Sequence, residues 1–182
     1  MKIFFITGNK NKVREVKKIL GDDIEVEQIE IDYPELRSDD PEEIAALAAK
    51  QLADKLKKTI VVEDSGFFVK ALDDFPGTVS AYAFKRIGLE GLIKLMKGVK
   101  ERTCYYKCAV GYCEPKKEPT TFLGIEEGTM SEEIHDEGYG WAHDKVFIPK
   151  GSNKTYGQIK EVEEMKQHRR KAFTKLKEFL VK

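Results

Sequence analysis

The stretch that most restricts this chain is Ile60-Val61-Val62-Glu63-Asp64-Ser65-Gly66, where a β-branched apolar run breaks into two carboxylates, a hydroxyl and a glycine. Such a run fits a buried strand. In open α/β sheets ligands lie beyond the carboxyl ends of the strands, so Glu63, Asp64 and Ser65 are expected to face a cleft if the strand is central. The same residues suit an ordinary D-S-G turn, because Asp, Ser and Gly each favour turn backbone. Other parts of the chain separate the two readings.

A chain of 182 residues that is 41% hydrophobic supports one sizeable core, which predicts a single domain, residues 1–182, of two lobes. Thirty-two basic and 32 acidic residues cancel, so the basic footprint of a general nucleic-acid binder is missing. Met1 to Ile6 is too short an apolar run for a signal peptide or a membrane span, and no longer one follows. We therefore expect a cytoplasmic protein without nucleic-acid or membrane partners. Cys104, Cys108 and Cys113 lack C-x-x-C spacing and are odd in number, which points to reduced, buried thiols.

Lys2 to Thr7 reads as a first strand, and Val13, Val16, Ile19 and Leu20 follow at helical spacing. Only Thr7-Gly8-Asn9-Lys10 remains for the turn. A strand, glycine turn and helix in this order aim backbone N–H groups and the positive helix end at an anion, and Lys10 and Lys12 add charge there. Neither the P-loop nor the G-x-G-x-x-G pattern occurs. Ile24 to Ile31 alternates as a second strand, after which Glu35 lies in Asp32-Tyr33-Pro34-Glu35. Asp40-Pro41-Glu42-Glu43 predicts a helix start, with Asp40 as N-cap and Glu43 completing a capping box. Ile44, Leu47, Ala48, Leu52 and Leu56 form its expected buried stripe.

Phe75-Pro76-Gly77 predicts a turn, followed by two short helices separated by Gly88. Residues 103–113 and 120–127 predict a long hairpin with a charged, proline-containing tip. Gly138 to Asp144 is a glycine-flexed loop holding Trp141, His143 and Asp144 before a strand at 146–149. Trp141 either packs in the core or presents a flat ring to a base. The final helix is expected from about Lys160 to Val181, with Met165, Ala172, Leu176, Phe179 and Leu180 buried. His168 and Arg169 fall within that stripe and need buried acids or a ligand as partners.

Taken in order, Thr7-Gly8-Asn9-x-x-Lys12, Glu63-Asp64-Ser65-Gly66, Phe75-Pro76-Gly77, Gly140-Trp141-Ala142-His143-Asp144 and His168-Arg169 resemble the inosine triphosphate pyrophosphatase family over the whole chain. The resemblance implies an α/β fold with an elongated mixed β-sheet, flanking helices and two lobes around a central substrate cleft, usually as a homodimer. It implies Mg²⁺-dependent hydrolysis of the nucleoside triphosphates ITP, dITP and XTP to monophosphate and pyrophosphate, a cleansing of the nucleotide pool. On the motif match, Thr7, Gly8, Asn9, Lys10, Asn11 and Lys12 hold the triphosphate, Glu35 and Asp64 bind metal, and Asp64 is the catalytic base. Ser65, Trp141, Ala142, His143, Asp144, His168 and Arg169 surround the nucleoside and its base.

The chain also departs from the family pattern. Gln167 stands where a Ser usually precedes the His-Arg pair, and Glu163 stands where a Lys usually lies five residues before the His. Lys166 is the lysine that stands in if the helix start has shifted. His143 and Lys145 replace the more usual Tyr and Pro. These changes bear on base recognition more than on the metal centre. Two alternatives follow: a nucleotide-binding protein with little hydrolysis, or a Maf-type pyrophosphatase for modified pyrimidine nucleotides, whose amino-terminal S-x-S-x-R-R pattern is absent.

Overall fold

The computed structural model describes residues 1–182, the Glu164 side chain excepted. Seven strands form one mixed sheet. They are β1 (Lys2–Ile6), β2 (Glu25–Ile29), β3 (Ile60–Val69), β4 (Pro76–Gly77), β5 (Thr103–Cys113), β6 (Thr120–Met130) and β7 (Phe147–Pro149). The sheet order is β2-β1-β3-β5-β6-β7, with β4 paired to β3. The helices are α1 (Lys10–Leu20), α2 (Pro41–Leu56), α3 (Ser80–Leu95), α4 (Val162–Met165) and α5 (Gln167–Leu180). No helix among the described residues is long and apolar enough to cross a membrane.

The chain divides into two compact units, the first made of Met1–Ser65, Cys108–Gly124 and Gln167–Lys182, and the second of Gly66–Lys107 and Ile125–Lys166. In the first unit β1 runs parallel to both β2 and β3, with Ile6 opposite Val62. That register brings the turn after β1 and the acids after Val62 out at the same level. One face is packed by Val13, Val16 and Leu20 of α1 and by Ala172, Phe173 and Leu176 of α5, which close over Ile3, Phe5 and Val61. Ala48, Ala49, Leu52 and Ala53 of α2 join Ile6, Ile60 and Val62 in another cluster. Fully burying each Val, Leu, Ile or Phe among them contributes about 1.5–3 kcal/mol, which makes the strand ends a firm base for a site.

In the second unit Phe67, Val69, Leu92, Met96, Cys104, Met130, Phe147 and Tyr156 make the core. β4 pairs antiparallel with β3 through Phe67 and Phe68. A side chain at Gly66 would strike the Gly77 backbone, so glycine is required there. All three cysteines are buried and free.

Several expectations change. The Glu63–Gly66 stretch lies inside β3, which has β5 beside it and β4 paired at Phe67 and Phe68, so the strand runs on to Val69. The parallel pairing with β1 ends at Val62. Asp40 caps α2 through Glu42 N–H, but Glu43 accepts the Ser38 hydroxyl at 2.7 Å and does not complete a capping box. The final helix is broken: α4 stops at Met165, Lys166 takes the extended values φ −59° and ψ 119°, and α5 begins at Gln167. The break leaves Met165 exposed, and Leu47 and Phe179 are exposed as well. The hairpin strands and the interruption of α3 at Gly88, where φ is +64°, agree with the sequence pattern.

Candidate functional site

In the first unit the turn after β1 is built from its own side chains. Thr7 Oγ1 accepts the Asn9 N–H at 3.1 Å, and Asn9 Oδ1 accepts those of Asn11 and Lys12 at 2.9 and 3.3 Å. Asn9 is therefore the N-cap of α1, and it satisfies two of the donors that the helix start leaves open. Gln28 steadies the strand end by donating to the Thr7 carbonyl at 2.7 Å. Asn11 accepts from Arg14 at 2.5 Å, while Gly8 and Lys10 are exposed.

Lys12 leads into a buried ion network. Its Nζ is 3.3 Å from Glu63 Oε1, and the Glu63 side chain is 1% exposed. Arg169 grips the same carboxylate twice, Nε to Oε2 at 2.9 Å and Nη2 to Oε1 at 3.0 Å, and donates through Nη1 to Glu15 at 2.7 Å. Burial pushes the Glu63 carboxyl upward, but the charges of Arg169 and Lys12 outweigh it and hold the group far below the usual carboxylate range. Arg169 was expected to face a base. Its guanidinium instead spends all three nitrogens on carboxylates and is buried, as is His168.

Asp64 has the opposite environment. Its Oδ2 is buried with no hydrogen-bond partner among the described residues. Burial first, then Glu35 and Glu63, push its carboxyl up to about 7 against the pull of Lys12. Tyr33 hydrogen-bonds Glu35, and burial with the charges of Glu35 and Asp64 raises its phenol above the ordinary range. Ser65 follows Asp64, half-buried.

These acids fit a divalent cation. Mg²⁺ usually takes one or two carboxylates and completes its shell with water and substrate phosphates. A buried, unpartnered Asp64 oxygen within the field of Glu35 is such a donor set. No group of three or more His, Cys, Asp or Glu that could hold a metal ion occurs among the described residues.

In the second unit Asp144 organises the aromatic loop. Its Oδ2 accepts the Trp141 N–H at 2.9 Å, and its Oδ1 accepts the Tyr106 hydroxyl at 3.0 Å. Lys166 Nζ lies 2.8 Å from Asp144 and 2.9 Å from Glu163, and 5.4 Å from the centre of the Trp141 ring. The break between α4 and α5 is what turns Lys166 inward. Gly140 has φ +60°, and a side chain there would meet Asp144. Ala142 holds φ +49° without being glycine.

Trp141 is 56% exposed, so its ring is presented and not packed. His143 is the packed ring. It stacks on Phe67 at 4.8 Å and 19°, and burial lowers its pKa to about 4 despite Asp144. Glu63, expected at a cleft, is instead buried on Arg169 and Lys12, and sequence reasoning gave no role to Glu15, Tyr33 or Tyr106. Glu15 carries a faint signal, an acid three residues after Lys12 beside the buried stripe. The two tyrosines carry none.

Residues 3–179 match the model of the Ham1 family. The chain belongs to that family. A Methanopyrus kandleri protein named a dITP/XTP pyrophosphatase is 45% identical to this Ham1-family chain over 182 residues, spanning 98% of it and 96% of its own length. One of the same name from Methanosarcina acetivorans is 42% identical, covering 94% of this chain and 92% of its own. The structure of the Staphylococcus aureus Ham1 protein superposes with a TM-score of 0.86 at 28% identity, covering 100% of this chain and 98% of that one.

Proposed function

We infer that this protein is a nucleoside triphosphate pyrophosphohydrolase acting on the non-standard purine nucleotides ITP, dITP and XTP. The observation that carries the reading is Asp64, a carboxylate with an unpartnered buried oxygen beside Glu35, in the same unit as Lys12 and the capped turn. Relatives named dITP/XTP pyrophosphatases support the substrate class.

The reaction adds water to the α-phosphorus and breaks its bond to the oxygen of the β-phosphate, giving monophosphate and pyrophosphate. The obstacle is charge, since a triphosphate repels an anionic nucleophile. Lys12 and the amino end of α1 offset it by binding phosphate oxygens in a fixed geometry. Asp64 takes the proton of the attacking water. A positioned base of this kind typically supplies about 10²–10⁴ in rate. The cofactor is a divalent cation, for which we propose Mg²⁺ on Glu35 and Asp64, and when bound it neutralises phosphate charge.

The exposed Trp141 ring, whose backbone N–H is held by Asp144 and whose face lies over Lys166, is the surface we assign to the base. With its donors on Glu63 and Glu15, Arg169 holds the network and does not read the purine 6-oxo group. We also propose a homodimer, by resemblance to the family, to be checked by light scattering of the purified protein.

The test is pyrophosphate and orthophosphate release from ITP, XTP, dITP, ATP, GTP and CTP, with and without Mg²⁺. We expect metal-dependent pyrophosphate from ITP, XTP and dITP with little from the standard nucleotides. Nucleotide binding without pyrophosphate release would refute the reading.

A further inference from the structure

Glu63 has no part in the hydrolysis described above, yet the first unit encloses it almost completely, at 1% side-chain exposure. A buried carboxylate must be paired, and the fork of Arg169 already does this through two parallel contacts at 2.9 and 3.0 Å. A third contact, from Lys12 at 3.3 Å, is more than Glu63 requires for its own burial. Lys12 gains more from it. Its backbone N–H is held by Asn9, while its side chain is a flexible four-carbon stem that would otherwise sample many rotamers. The contact to Glu63 selects one of them. Arg169, itself shared with Glu15, offsets the charge of Glu63, so the ammonium is steered without its positive charge being cancelled twice over.

We propose that Glu63 is a positioning residue for phosphate binding: clamped by Arg169, it holds the Lys12 ammonium at the Thr7–Lys12 turn in the orientation that the triphosphate meets. The inference rests on the pyrophosphohydrolase reading and adds to it a residue that touches no substrate. Glu63→Gln keeps the shape and an acceptor for Arg169 but removes the charge that orients Lys12.

The experiment is a double-mutant cycle on pyrophosphate release from ITP, using wild type, Glu63→Gln, Lys12→Ala and the double variant. Glu63→Gln is expected to lower kcat at least about tenfold with KM within about threefold, because alignment is lost more than affinity. In the Lys12→Ala background the same change should alter kcat less than about threefold, since the group it positions is gone. Glu15→Gln, which removes the other carboxylate of Arg169, should leave kcat within about twofold. Multiplying effects of Glu63→Gln and Lys12→Ala, or a Glu15→Gln loss equal to that of Glu63→Gln, would mean that Glu63 only satisfies Arg169. Should Glu63→Gln not fold, Glu63→Asp carries the cycle, keeping the charge but shortening the reach to Lys12. A wild type that releases no pyrophosphate overturns both readings, whereas an active wild type with multiplying effects overturns this one alone.

Discussion

Replacing Asp64 with Asn should make the metal-free protein more stable while removing most of its turnover. In the folded state the Asp64 carboxyl is pushed from 3.8 up to about 7 by burial and by Glu35 and Glu63. The native state therefore binds a proton more tightly than the unfolded chain does. Stability is lost as pH rises from about 4 towards 7 and levels off above that. At about 1.4 kcal/mol per pKa unit the full cost at pH 8 is about 4 kcal/mol. Asp64 is half-buried, and solvent at its edge should reduce this to roughly 2 kcal/mol.

Asn has nearly the same shape and no charge, so it escapes this cost. For a domain of this size, roughly 2 kcal/mol corresponds to a Tm rise of about 4–8 °C at pH 8. The gain should shrink as pH falls towards 4 and vanish below about 3, where wild-type Asp64 is protonated in both states. Thermal melts of both proteins in a chelator, from pH 4 to 8, measure the difference directly. Added Mg²⁺ should then raise the Tm of wild type more than that of the variant. A variant that is less stable than wild type at pH 8, or a difference that does not vary with pH, would refute the electrostatic account. Near-normal turnover in the folded variant would refute the role of base.

Trp141→Ala removes an exposed ring, so Tm should move by less than about 2 °C, while lost stacking of about 1–3 kcal/mol should raise KM for ITP roughly 5- to 150-fold. Steady-state kinetics on the melted-and-checked variant decide it. His143 is held neutral by burial, with its pKa lowered from 6.5 to about 4, so its contribution to stability is present above 6.5 and lost as pH falls towards 4. His143→Phe should retain the stack on Phe67 and be spared about 2 kcal/mol of the wild-type loss at pH 5, as read by urea unfolding at pH 7.5 and 5. Gly124→Ala would drive a methyl into the His168 and Ala172 backbone of α5, and should cost about 3 kcal/mol, seen as a Tm drop of roughly 6–12 °C.

Much of the fold could be read from local patterns because the forces behind it are local. The spacing of Val13, Val16 and Leu20 defines a helix face, and the β pattern across 103–113 and 120–127 marks two strands, the second of which runs on to Met130. Asn9 and Asp40 cap the helices that follow them through bonds to residues only two or three positions ahead. The acids of β3 and Lys12 were visible for the same reason, as charges next to strand and helix ends.

What the sequence could not decide depended on partners far along the chain. β3 runs past Val62 with β5 beside it and β4 paired to its far end, and the break between α4 and α5 turns Lys166 inward to Asp144. Asp64 and Glu63 are adjacent carboxylates of similar intrinsic acidity, yet one is pushed up to about 7 and the other far down. The difference is that Arg169, 106 positions away, reaches Glu63 while one oxygen of Asp64 is buried without a partner. Residue type determined which groups could carry charge here. Tertiary packing alone decided which of them keep it, through burial and the distance to the nearest opposite charge.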